Sequence, residues 1–205
     1  NHKKISFSSS FGRKVELPNE YLDYLRDFEF ISLRDGQFVN YLDDLGLKNV
    51  FYVLDPTMMI DENYWYKFAS KKIDEKHYLL YYRLHHNDTL EQEAVKFAKE
   101  HKLKLIRISN SIDHVFLSGK TFSNIDPAMF LSLIKNADCV LSDSFHCTVF
   151  SILFRKKFIT ICPGETSPRI TDLLNRYNLN SRYAINIGDF CLNSIFDDID
   201  YVRVF

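Results

Sequence analysis

The chain has 205 residues, 46% of them hydrophobic and 26% charged, with a formal net charge of −1. That is enough for one well-covered α/β core, and it removes any general electrostatic attraction for nucleic acid or an anionic membrane. No apolar run approaches the roughly 20 residues of a membrane helix, and Asn1-His2-Lys3-Lys4 begins no signal-peptide hydrophobic region. The expectation is a cytoplasmic chain with no nucleic-acid partner and no integral membrane segment.

Taken in order, Ile5 to Ser8 reads as a strand that ends in the polar loop Ser8-Ser9-Ser10-Phe11-Gly12. Pro18 opens a helix with Tyr21, Leu22, Leu25 and Phe28 on one face. Phe30 to Leu33 is a strand, Arg34-Asp35-Gly36 a turn, and Phe38, Val39, Leu42 and Leu45 the apolar face of a second helix closed by Gly46. Val50 to Leu54 follows as a strand ended by Asp55-Pro56, then a short helix over 61–70 with Tyr64, Trp65 and Phe68 inward. The charged stretch Lys71 to Lys76 is a join, without a composition change that marks a domain boundary.

Tyr78 to Tyr82 is a strand leading to Arg83, and Leu90, Ala94, Phe97 and Ala98 are the buried face of the next helix. Leu103 to Ile108 is a strand, and Ser109 to Ile125 reads as a surface loop. Asp126-Pro127 signals a helix packed through Phe130, Leu133, Ile134 and Ala137. Phe158 to Cys162 is a strand broken by Pro163-Gly164, and Ile170, Leu173, Leu174 and Tyr177 mark a further helix. The tail reads weakly, with Phe196 to Val204 a helix or an edge segment.

The stretch from Asp138 to Phe154 organises the rest. Cys139 to Leu141 is a continuous apolar run, as in a strand covered on both faces, and it stops at the capping residues Ser142-Asp143-Ser144. Phe145, Val149, Ile152 and Leu153 then recur at helical spacing, so His146 falls in a first helical turn. Backbone N–H groups there lack intrahelical partners and attract anions, and an imidazole beside them can exchange a proton. A satisfied, half-buried histidine is the competing reading.

The strand and helix order predicts a doubly wound α/β fold, a mostly parallel sheet with helices on both faces, in one domain over 1–205. All strand carboxyl ends then lie on one side, which gathers Ser8, Arg34, Asp55, Arg83, Asp143 and Pro163 around one crevice. Cys139, Cys147, Cys162 and Cys191 have no zinc-ligand spacing and read as reduced thiols. His85-His86 reads as a loop pair, because strand neighbours point to opposite faces and no third ligand is sensibly spaced. No metal and no cofactor is expected.

Ser144-Phe145-His146, continued by Thr148 to Phe154 and Lys157-Phe158-Ile159, resembles the signature of the polysaccharide pyruvyl transferases. Ile5 to Gly12, Ile31 to Arg34, Leu54 to Thr57 and Arg169-Ile170 match in the same order along the chain. The resemblance implies the carboxyl-terminal part of a longer chain whose amino-terminal half is missing, similar to one half of a GT-B-like transferase. It also implies transfer of a pyruvyl group from phosphoenolpyruvate, as co-substrate, to two hydroxyls of a sugar or lipid-linked oligosaccharide. The product is a cyclic ketal made during surface or extracellular polysaccharide biosynthesis, in the cytoplasm or at the inner face of the membrane.

On that reading His146 is the acid/base, while Arg34, Ser144, Lys157, Arg169 and, by topology alone, Arg83 bind the donor; Asp143 is a candidate base for the acceptor hydroxyl. Each has a bland competitor: a surface ion pair for Arg34 and Arg169, a solvated edge for Lys157, a helix cap for Ser144 and Asp143. Two positions depart from the family pattern. Cys147 stands where glycine usually follows the histidine, which puts donor geometry in question, and Phe158 stands where proline usually follows the lysine. The rival functions are a nucleotide-sugar-dependent GT-B-like glycosyltransferase and a non-catalytic carbohydrate-binding remnant.

Overall fold

Period-two burial in the central strands dictates the architecture. In the strand Tyr78–Tyr82, Tyr78 and Leu80 enter one apolar layer and Leu79 and Tyr81 the opposite one, so this strand is covered by helices on both faces. The structure, a computed structural model, describes residues 2–12, 16–109, 118–161, 168–185 and 191–204.

Two parallel sheets are present instead of the single one expected. The smaller has three strands in the order β1-β2-β3, with β1 at Lys4–Ser9, β2 at Phe28–Leu33 and β3 at Val50–Tyr52. Helices α1 (Asn19–Arg26) and α2 (Gly36–Asp44) supply its core with Leu22, Phe38 and Leu42 against Ile31 and Leu33. Only one face of this sheet is well covered: Ile5 and Phe7 of β1 and Phe51 of β3 are exposed.

The larger sheet has six strands in the order β6-β5-β4-β7-β8-β9, all paired parallel. Its strands are β4 (Tyr78–Tyr82), β5 (Lys104–Ile108), β6 (Lys120–Phe122), β7 (Cys139–Ser142), β8 (Lys157–Ile161) and β9 (Tyr183–Ala184). Helices α3 (Glu62–Phe68), α5 (Pro127–Asn136), α6 (Phe145–Leu153) and α7 (Pro168–Arg176) contribute to one layer, and α4 (Asp88–Glu100) to the other. A last short helix, α8, spans Tyr201–Val204. Strands β6 and β9 were not anticipated, because two or three residues carry no periodicity. Tyr64 and Phe68 of α3, expected inward, are 54% and 40% exposed.

From β4 the chain runs outward to β5 and β6, then returns to β7 on the other side and continues to β8 and β9. The strand order therefore reverses between β4 and β7, and the crevice above their carboxyl ends is where open α/β sheets bind ligands. The two sheets meet close by. Asp172 of α7 accepts a bond from the Gln37 backbone N–H at 3.4 Å, and the Arg176 guanidinium lies 4.6 Å from the centre of the Tyr52 ring. Trp65 donates to the Thr57 carbonyl at 2.8 Å and packs edge-on against Phe150 of α6.

Gly119 shows how closely the chain just before β6 lies against β5. Its φ is +107°, and a Cβ there would sit 2.6 Å from the Leu105 carbonyl oxygen and 2.9 Å from Nη1 of Arg107, a buried arginine paired with Glu91. Gly119→Ala is expected to cost about 1–3 kcal/mol, seen as a lower urea midpoint with an unchanged slope.

Candidate active site

Helix α6 is buried along its whole length except at His146. Ser144 caps it, accepting a bond from the Cys147 N–H at 3.4 Å, while its own N–H donates to Ser142 Oγ at 3.0 Å. The local sequence therefore sets one half-open imidazole, 48% exposed, at the amino end of a helix otherwise surrounded by protein. This is the element on which both competing expectations for His146 rested, and the side chain is neither dry nor enclosed.

Asp55, which follows β3, is 2% exposed, and its Oδ2 is shared by two cations or potential cations. It pairs with Nη1 of Arg34 and lies 3.7 Å from Nε2 of His146. Its Oδ1 accepts from the Thr57 N–H at 3.0 Å and the Thr57 hydroxyl at 2.6 Å. Burial alone would raise the Asp55 carboxyl, but the neighbouring His146 imidazole, the bonds from Thr57 and the charge of Arg34 outweigh it and hold the group well below the usual carboxylate range.

Phe145 joins a third segment to this cluster. The guanidinium of Arg34 lies 5.8 Å from its ring centre and that of Arg169, in the first turn of α7, lies 5.2 Å away, both within cation–π reach. Among the described residues, neither Nε of Arg34 nor Nε of Arg169 has a hydrogen-bond partner. Arg34, His146 and Arg169, far apart in sequence and drawn from both sheets, thus gather around Asp55 and Phe145. The sequence pattern assigns neither of those two a role: it puts Asp55 at the crevice and Phe145 in the core, although an aspartate before Pro-Thr at a strand end signals a fixed carboxylate.

The remaining candidates divide. Ser144 and Arg83 line a cavity next to His146. Asp143 lies beneath it and accepts bonds from the backbone N–H groups of Leu84 (2.6 Å) and His85 (2.9 Å) and from the His85 ring (3.0 Å); it organises the turn after β4. Lys157 is not brought to the crevice, because it begins β8 at the opposite end of the sheet, where its ammonium donates to the Phe196 carbonyl at 2.6 Å and pairs with Asp198 at 3.3 Å. Pro163 lies outside the described residues, as does Cys162.

Cys147 is fully buried in the core cluster and its side chain does not line the crevice. Burial pushes its thiol up to about 12, so it stays protonated and unreactive. Cys139, Cys147 and Cys191 are free thiols, and Cys139 and Cys147 are buried. Cys147→Gly, which restores the family's usual residue, should therefore leave donor affinity unchanged. Its expected cost is about 1–2 kcal/mol, from lost packing and a flexible residue in a helix, read as a lower thermal midpoint.

This is an α/β protein whose chemistry-bearing side chains meet at strand carboxyl ends, around paired guanidinium groups and one accessible imidazole. The family model for polysaccharide pyruvyl transferases matches residues 1–161, and the chain belongs to that family, one of transferases. No curated protein matches the chain. Among the described residues, no helix is long and apolar enough to cross a membrane.

Proposed function

We propose that the chain moves a pyruvyl group from phosphoenolpyruvate to two hydroxyls of a sugar, as a ketal, during polysaccharide biosynthesis in the cytoplasm or at the inner face of the membrane. The observation that carries this reading is the convergence of Arg34, Arg169 and His146 around Asp55 and Phe145. Phosphoenolpyruvate is a small trianion, and guanidinium groups can meet its carboxylate and phosphate with paired hydrogen bonds. The donor methylene must gain a proton to become the ketal methyl, and the imidazole of His146 is the accessible acid for that step.

The balance is simple. Two C–O bonds form to the central donor carbon and one C–H bond forms at its methylene, while the donor's C=C π bond, its C–O bond to phosphate and the two acceptor O–H bonds break. One acceptor hydroxyl proton ends on carbon and the other on phosphate. Arg34 and Arg169 would hold the anionic groups while His146 relays the proton. Ser144 and the first N–H groups of α6 offer further donors for phosphate oxygens.

The test offers phosphoenolpyruvate or a nucleotide sugar to the chain in calorimetry. Tighter binding of phosphoenolpyruvate, lost in Arg34→Ala, supports the reading. Preference for the nucleotide sugar favours a glycosyltransferase, and no heat with millimolar phosphoenolpyruvate favours a non-catalytic remnant. Ketal formation itself is scored as acceptor-dependent phosphate release, with an acceptor mass gain of one pyruvate less one water.

A further inference from the structure

The cation cluster occupies one side of His146; the other side faces a cavity of about 650 Å³ over the point where the strand order reverses. Its walls include Tyr82, Leu84, Asn124 and Phe130, and Ser144 and His146 stand at the side where it meets the donor cluster. Arg34, Asp55 and Arg169 do not line it. His146 is thus the wall between a strongly charged cluster and a space of different chemistry.

That space is preformed. Asp143 fixes the Leu84 and His85 backbone, Ser142 donates to the Tyr82 carbonyl at 2.5 Å, and the Tyr82 and Phe130 rings pack edge to face at 5.4 Å. Among the described residues, its charged lining besides Arg83 and His146 is Asp126, already paired with Lys71 at 3.2 Å and capping α5. Aromatic faces with a few hydroxyl and amide groups suit a neutral ring that is apolar on its C–H face and rich in hydroxyls at its edge. With Arg83 as the guanidinium among its described lining residues, the cavity offers a compact trianion less charge than Arg34 and Arg169 do together. The volume lies inside the roughly 300–1,000 Å³ of ordinary ligand sites.

We infer that this cavity is the acceptor compartment, taking one neutral sugar ring so that its hydroxyls meet the donor across the His146 imidazole. The inference rests on the donor reading above and locates the second substrate. Leu84 allows the two to be tested apart, because it is 58% exposed and Leu84→Trp should fill the cavity with little strain on the core.

Saturation-transfer NMR is run with the methyl glycosides of glucose, galactose, mannose and N-acetylglucosamine, one at a time, and separately with phosphoenolpyruvate. We expect at least one glycoside to bind wild type and Arg34→Ala alike, and to bind folded Leu84→Trp about tenfold or more weakly. Phosphoenolpyruvate should bind Leu84→Trp as it binds wild type. No glycoside signal from wild type at tens of millimolar overturns the compartment, as does glycoside binding unchanged in Leu84→Trp or a loss there of phosphoenolpyruvate instead. Failure of the donor reading looks different: phosphoenolpyruvate binding that Arg34→Ala leaves untouched.

Discussion

Replacing His146 by alanine should lower the turnover of pyruvyl transfer by about 10²–10⁴-fold, the usual contribution of a positioned acid or base, while phosphoenolpyruvate still binds. The fold should hold. His146 is the exposed residue of an otherwise buried helix, its ring makes an edge contact with Phe145 at 5.3 Å and its Nε2 lies 3.7 Å from Asp55, so the unfolding free energy should move by no more than about 1 kcal/mol. Arg34→Ala should behave differently. Charge-assisted bonds contribute about 1.5–3 kcal/mol each, so its first effect is a donor affinity lower by roughly ten- to a hundredfold. Arg34→Lys should recover little of it, because an ammonium lacks the planar fork. Full turnover in His146→Ala, measured as phosphate release at saturating donor and acceptor, would remove the acid/base assignment whatever Arg34 does.

Why the crevice was partly legible in the sequence follows from which signals are local. The cap at Ser144, the buried run from Cys139 and the position of His146 in a first helical turn depend on neighbouring residues, and each stands in the structure as read. Strand carboxyl ends share one side of a parallel sheet, so Arg34 and Arg83 could be assigned to a crevice before their contacts were known. Lys157 had no such support, since the residue that begins a strand lies at the opposite end from the chemistry. The division into two sheets was hidden because β1 and β2 pattern much like interior strands, and only long-range docking decides which sheet a strand joins. Phe145 read as core, and it is 6% exposed. What local pattern cannot carry is that its ring also lies beneath two guanidinium groups.

Asp55 is where fold and site depend on the same atoms, and its removal should be the more damaging to stability. Asp55→Ala deletes the acceptor of both Thr57 bonds and leaves Arg34, 21% exposed, without its carboxylate. A loss of about 2–4 kcal/mol is expected. Asp55→Asn keeps an oxygen for Thr57 and removes only the charge, so it should cost less, about 1–2 kcal/mol. The pH dependence separates charge from shape. The folded carboxyl titrates below its ordinary value of 3.8, so its ionised form adds stability that is fully present above that value and fades as pH falls further, through the folded pKa. The stability gap between wild type and Asp55→Asn, from urea midpoints at successive pH values, should therefore be flat near neutrality and close only in acid. A gap that persists unchanged as both proteins approach acid unfolding would mean that shape alone holds the turn after β3. Arg34 and His146 would then share Asp55 by proximity, without an electrostatic tie between the two sheets.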